Sequence, residues 1–179
     1  IFKEKIIMKK PSNIFIMFTF LLSLLILTSC QKPTPEPDIR ISHNSNELKV
    51  IHYFDRNNEE KEDIEEYIKS VMVGKRFTDL PAIDFGDKIS LEALNFETDE
   101  FEIYDYIVDE SGNIVSDYSA GPTAVTLADD GNAEFVFEKN ENLEIYNDYM
   151  VEGKSIHCLL VRCKINKSWF AFGTLVLGN

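Results

Sequence analysis

Cysteine, tryptophan, basic side chains and long apolar runs are all scarce in this chain. Three cysteines among 179 residues exclude a small scaffold held by several disulfides. Eighteen Lys and Arg against 31 Asp and Glu give a net charge of −13, which repels nucleic acid and anionic lipid surfaces. The longest apolar run, Ile14 to Leu27, has fourteen residues, whereas a membrane-spanning helix needs about 20. The three histidines, His43, His52 and His157, form neither H-x-H nor H-E-x-x-H, so no pair is spaced to hold zinc. A G-x-S-x-G elbow, a phosphate-binding glycine-rich loop and a dinucleotide fingerprint are likewise missing, so the common nucleophile and nucleotide motifs are absent. His157 adjoins Cys158, but neighbours on a strand face opposite ways. The expectation there is a buried thiol and an outward imidazole.

What is present begins with an address. Met8-Lys9-Lys10 supplies a start and a cationic segment, followed by the apolar run and then Leu27-Thr28-Ser29-Cys30. A short cationic segment, a short apolar stretch and small residues before a cleavage point make a signal peptide rather than a folded element. Leu27, Thr28, Ser29 and Cys30 together resemble the lipobox of bacterial lipoproteins. That resemblance implies recognition of Leu27, Thr28 and Ser29 by a dedicated signal peptidase, cleavage before Cys30, and a diacylglycerol attached to the Cys30 sulfur. Each buried methylene contributes about 0.8 kcal/mol, so two or three acyl chains anchor firmly where one is marginal. Gln31 lacks the aspartate that in this family resembles an inner-membrane retention signal, which implies the outer membrane; whether the protein faces the periplasm or the surface stays open.

The first thirty residues carry four of the basic residues and one of the acidic ones, so the remainder has a net charge near −16. Its 149 residues suffice for one domain with a real core. Residues 31–46 contain Pro33, Pro35 and Pro37 and read as an extended tether. Residues 47–74 read as a strand followed by an amphipathic helix: Leu48, Val50, His52 and Phe54 alternate, and Ile64, Tyr67, Ile68, Val71 and Met72 then recur at helical spacing up to Gly74. The acidic helix face is expected to be solvated.

Residues 75–179 return to a period of two. Ile89, Leu91 and Ala93 alternate with polar residues, Phe101 to Val108 is apolar on both faces, and Ala133, Phe135 and Phe137 follow the turn-forming Asp129-Asp130-Gly131-Asn132. Leu143 to Met150 fits either a short helix or a strand. Ile156 to Ile165 and Trp169 to Leu177 close the chain as two apolar strands. On one strand Cys158 and Cys163 would stand roughly 16 Å apart on opposite faces, too far for a bridge, so two buried free thiols are expected. Seven or eight antiparallel strands with one helix make the fold class mainly β, a β-sandwich. The segments GDKISLEAL, FEIYDYIVDESGNIV, TLADDGNAEFVFE, IHCLLVRCKI and WFAFGTLVL resemble strands B, C, E, F and G of bacterial immunoglobulin-like domains, although the Cys-Trp-Cys signature is lacking. A lipocalin-like barrel is the rival; its early Gly-x-Trp is absent, since the single tryptophan is Trp169.

Three constellations remain for function. Tyr104 and Tyr106 share one strand face and, with Trp169, are the candidate binding surface, since aromatic side chains suit sugar and peptide interfaces. The loops Asp109 to Asn113 and Asp129 to Asn132 carry the oxygen ligands calcium takes, without EF-hand spacing; no other cofactor or metal is expected. Asp105 and Asp148 are carboxylates that a polysaccharide-cleaving enzyme could use. The leading expectation is a non-enzymatic, lipid-anchored envelope module that binds a protein or glycan. The alternatives are an enzyme or accessory subunit acting on envelope or imported polysaccharide, and a structural subunit that assembles by strand addition.

Overall fold

A computed structural model describes residues 36–53, 61–98, 100–117, 119–123, 125–128, 132–165 and 167–179. Ten strands are defined in the described residues: β1 (Ile39–His43), β2 (Asn46–Glu47), β3 (Ile51–Tyr53), β4 (Ala82–Ile83), β5 (Lys88–Ala93), β6 (Phe101–Val108), β7 (Thr126–Leu127), β8 (Ala133–Val136), β9 (Ser155–Ile165) and β10 (Ser168–Gly178). Among the described residues one α-helix, α1 (Lys61–Met72), lies between β3 and β4. The strands form two sheets. The first has the order β2-β1-β5-β8-β7, and the second β3-β10-β9-β6, with β4 joining the end of β10 in parallel.

The sheets pack face to face through Ile41, Ile89, Leu91, Phe135 and Phe137 of the first and Ile103, Leu159, Val161, Cys163, Phe172 and Val176 of the second. The outer face of the first sheet is polar. Lys88 pairs there with Glu134 at 3.0 Å, and Arg40 with Glu92. The second sheet is covered on its inner face and on part of its outer face, where α1 lays Ile64 and Ile68 over Tyr106, Cys158, Leu160, Leu175 and Leu177. This explains why β6, β9 and β10 read as continuous apolar runs instead of alternating ones.

Turn chemistry sets the registers. Asn44 and Ser45 both take positive φ (48° and 65°) between β1 and β2, the backbone of a two-residue turn that matches strand twist. Glu152 and Gly153 (52° and 78°) do the same just before β9. The β9–β10 hairpin pairs Ile165 with Ser168 across a two-residue loop, in which Lys167 has φ 76°. The helix carries Glu62 and Asp63 in its first turn and Lys69 in its last, in line with its dipole, and it stops before Gly74 at φ 74°.

Several expectations need correction. The tether does not extend to Asn46, because residues 39–43 form β1 and bury Ile39 and Ile41 against β5. Two isoleucines in a polar, proline-rich stretch are too short an alternation to stand out; pairing with β5 orders them. The sandwich therefore starts well before residue 75, and Pro37 to Asn179 is one compact unit. Within residues 47–74 the strand is reduced to β3, and Phe54 to Glu60 lie outside the described residues. The ambiguous stretch is a 3-10 helix, Leu143–Tyr149, pinned by buried Leu143. The expected turn at Asp129 to Gly131 also lies outside the described residues, but its flanks pair: Ala128 N–H donates to Asn132 O at 2.8 Å. Cys158 and Cys163 are free and buried on opposite faces of β9.

Candidate functional site

Leu27, Thr28, Ser29 and Cys30 lie outside the described residues. No helix among the described residues is long and apolar enough to cross a membrane.

The aromatic constellation sits on the outer face of the second sheet, beside α1. Tyr104 and Tyr106 are two residues apart on β6, so both project to this face, and their rings stack at 6.1 Å. Tyr106 is 4% exposed beneath the helix, whereas Tyr104 is only partly buried. Trp169 reaches the same face from β10, opposite Lys164 of β9. Between Tyr104 and Trp169 stands Arg162, its guanidinium carbon 5.9 Å from the Tyr104 ring centre and 4.9 Å from that of Trp169. Lys164 Nζ lies 5.4 Å from the Trp169 ring centre. Carboxylates complete the ladder: Arg162 Nη1 donates to Glu102 Oε2 at 3.3 Å, Tyr104 Oη donates to the same oxygen at 3.2 Å, and Lys164 Nζ donates to Glu100 Oε2 at 3.1 Å. Burial pushes the Tyr104 phenol above its ordinary range; Arg162 opposes that shift and Glu102 adds to it.

The three nominated aromatics are therefore brought together, but not as an open platform. Tyr104 has a tyrosine stacked on it and a guanidinium against it, and cations lie over Trp169. What the ladder offers a ligand is ring edges, one phenol and four charged groups held in place by each other. Each cation–π contact contributes about 0.5–1 kcal/mol at an exposed site. Arg162, Lys164, Glu100 and Glu102 were not singled out from sequence. Arg162, Lys164 and Trp169 could have been aligned by the tight β9–β10 turn, but the acidic partners require the β6–β9 register.

A second constellation lies inside. The imidazole expected to point outward is instead fully buried between the sheets. His157 Nδ1 is 2.7 Å from Asp105 Oδ1, and Nε2 is 2.7 Å from Ser155 Oγ. As the neutral Nδ1–H tautomer, His157 donates from Nδ1 to the carboxylate and accepts at Nε2 from the Ser155 hydroxyl. The order carboxylate, imidazole, hydroxyl is that of a nucleophilic triad. Ser155 is 2% exposed, however, so in this conformation its oxygen presents no face to an external carbonyl. The array satisfies a buried imidazole that Phe85 and Phe137 enclose, with ring centres at 5.7 and 4.9 Å. Ser155 and His157 are two apart in sequence and hence share a face; Asp105 is added only by pairing β6 with β9. Thr174, also buried in the second sheet, has no partner for its hydroxyl among the described residues.

The remaining candidates are placed apart. Asp148 is exposed on the 3-10 helix, whereas Asp105 is engaged by His157. Asp109 spends both carboxylate oxygens on its own loop: Oδ1 accepts from the backbones of Ser111 and Asn113, and Oδ2 from Asn113 Nδ2. Burial works to raise its pKa, but those hydrogen bonds prevail and hold it below the ordinary carboxylate value. Among the described residues no group of three or more His, Cys, Asp or Glu is placed to hold a metal. His43 belongs to β1, not to a tether, and its Nε2 is 2.8 Å from Asp87 Oδ2. A cleft of about 290 Å³ is lined by Lys88, Thr123, Thr126, Glu134, Val136 and Glu138, where the chain passes from β6, bridged by Thr123, to β8, paired with β7. It is at the lower end of the size of small-molecule sites. Comparison of the chain with protein-family models, with curated proteins and with solved structures returned no match.

Proposed function

We propose that this chain is a lipid-anchored envelope protein whose immunoglobulin-like domain binds a protein or glycan partner through the exposed half of its second sheet. The lipobox of Leu27 to Cys30 supports the anchor. Strand order supports the fold: β1-β5-β8-β7 and β6-β9-β10 follow the orders A-B-E-D and C-F-G of constant-type immunoglobulin sandwiches. The domain departs from that type in lacking the inter-sheet disulfide and in carrying α1 between β3 and β4.

The observation that carries the binding reading is the ladder Tyr106–Tyr104–Arg162–Trp169–Lys164. It is half-exposed and cross-braced, so a partner meets side chains that have already lost much of their rotamer freedom, which lowers the cost of association. Ring edges and paired charges suit a polar, hydrogen-bonding ligand. The test is a photo-crosslinking amino acid placed at Glu102 or Lys164 in cells, with Ser90 on the outer face of the first sheet as control. Discrete adducts are expected from the first two positions and not from Ser90, and they weaken when Trp169→Ala is added. Adducts of equal yield at all three positions, or none, would remove the reading.

A second reading, an enzyme or accessory subunit acting on polysaccharide, draws on the Ser155–His157–Asp105 array. Release of ester-linked acyl groups from a panel of acylated glycans by the intact protein, abolished by Ser155→Ala and by Asp105→Asn with the fold retained, would replace the first reading with this one.

A further inference from the structure

We infer that α1 is a lid that opens on its own, uncovering the outer face of the second sheet while the two-sheet core stays closed. This device does not depend on the binding reading above. It rests on the separation of the core into two clusters. One, between the sheets, contains Cys163, Phe137, Leu159 and Phe172 and no residue of α1. The other, on the far side of the second sheet, contains Ile64 and Ile68 of α1 with Tyr106, Cys158, Leu160, Leu175 and Leu177. Lifting the helix takes Ile64, Tyr67, Ile68, Val71 and Met72 from the second cluster and no residue from the first.

The helix is poorly equipped to stay folded once lifted. It has twelve residues, at the limit below which an isolated helix is marginal in water. Two of its side chains, Ile64 and Ile68, are buried completely. A hydrogen bond from Ile114 N–H to Glu65 Oε1 at 2.8 Å ties it to the loop after β6. Gly112 of that loop lies so close that a Cβ there would be 2.9 Å from Lys69 Cγ. Detachment therefore releases the chain entropy of a whole helix against the loss of one apolar stripe, which is the composition of a low-stability unit.

The two free cysteines read this directly, one beneath the lid and one inside the sandwich. Burial pushes both thiols up to about 12, so neither reacts from the closed state and each labelling rate reports the opening that exposes it. The experiment is maleimide labelling of the full chain under native conditions, resolved by site with peptide mass spectrometry so that Cys30 is counted separately. Cys158 is expected to react at least about tenfold faster than Cys163. Ile68→Ala should speed Cys158 further, by roughly two orders of magnitude, with a much smaller change at Cys163. In the unaltered chain, amide exchange in α1 should outpace that in β9 and β10. Equal rates at the two cysteines, or α1 amides protected as strongly as those of β9, would overturn the inference.

Discussion

Replacing Gly178 by alanine tests the buried array with a sign that elementary propensity gets wrong. Glycine in a strand interior is ordinarily a weakness, and exchanging it for alanine stabilises by roughly 0.5–1 kcal/mol where the backbone permits. Gly178 lies at the end of β10, opposite Ser155, and its φ is not in the positive region that reserves a position for glycine. Backbone preference alone therefore forecasts a gain. A Cβ at this position, however, would lie 2.6 Å from Phe85 Cζ and 2.8 Å from His157 Nε2. Phe85 cannot simply swing away, since its ring is stacked on Phe137 at 5.1 Å, and Nε2 is engaged by Ser155. Overpacking of this kind costs about 1–3 kcal/mol, and losing the Ser155 bond to a buried imidazole adds about 1–3 kcal/mol. Urea unfolding should show a lower midpoint at unchanged slope, and a Tm lower by roughly 2–4 °C for each kcal/mol lost. Phe85→Leu should restore part of the loss when combined with Gly178→Ala, a coupling that a double-mutant cycle measures. A neutral or stabilising Gly178→Ala would refute the packing described around His157.

Three further outcomes follow from the same structure. Trp169→Ala should lower stability by about 0.5–2 kcal/mol in chemical denaturation, with the loss reduced in an Arg162→Ala background because the two side chains share one contact. The two buried thiols should make the fold sensitive to alkali. Their folded pKa is raised from the ordinary 9.0 to about 12, so the unfolded chain loses these protons first. The thiols' contribution should be constant below about pH 9, and above it stability should fall by about 1.4 kcal/mol per pH unit for each thiol. Unfolding measured from pH 8 to 10, below the range where the raised phenols of Tyr67 and Tyr104 add to the slope, should show that slope halved in Cys163→Ala. Asp109→Ala should cost about 1–3 kcal/mol by stripping the turn after β6 of its acceptors. In the unaltered chain the contribution of Asp109 is present above the carboxylate range and lost as pH falls through its depressed pKa, which an acid titration of the two proteins would separate.

Much of this architecture could be read from residue patterns, because local chemistry and tertiary demand agree. Ile64 and Ile68 at helical spacing, Asn166-Lys167 between two apolar runs, and the five-residue offset of Cys158 and Cys163 led to the right elements. Reading failed where an element takes its meaning from a distant partner. Ile39 and Ile41 look like part of a linker until Leu91 and Ala93 lie beside them. His157 was given the wrong side because β9 is apolar on both faces, which removes the contrast that alternation depends on; its polar partner, Asp105, stands 52 positions away. The aromatics of the ladder, Tyr104, Tyr106 and Trp169, were legible, but its cations and carboxylates were not, since exposed charges on strands carry no periodic signal. The pairing of β6 with β9 aligns Glu102 with Arg162.

The proposed anchor at Cys30 would decide which partners the domain can meet, and the intact mass of the protein purified from its native host tests it most directly. The account predicts a chain that begins at Cys30 and carries the added mass of fatty acids, released when the thioether-linked glyceride is hydrolysed. A chain starting elsewhere, or a Cys30 with no added lipid mass, would contradict it.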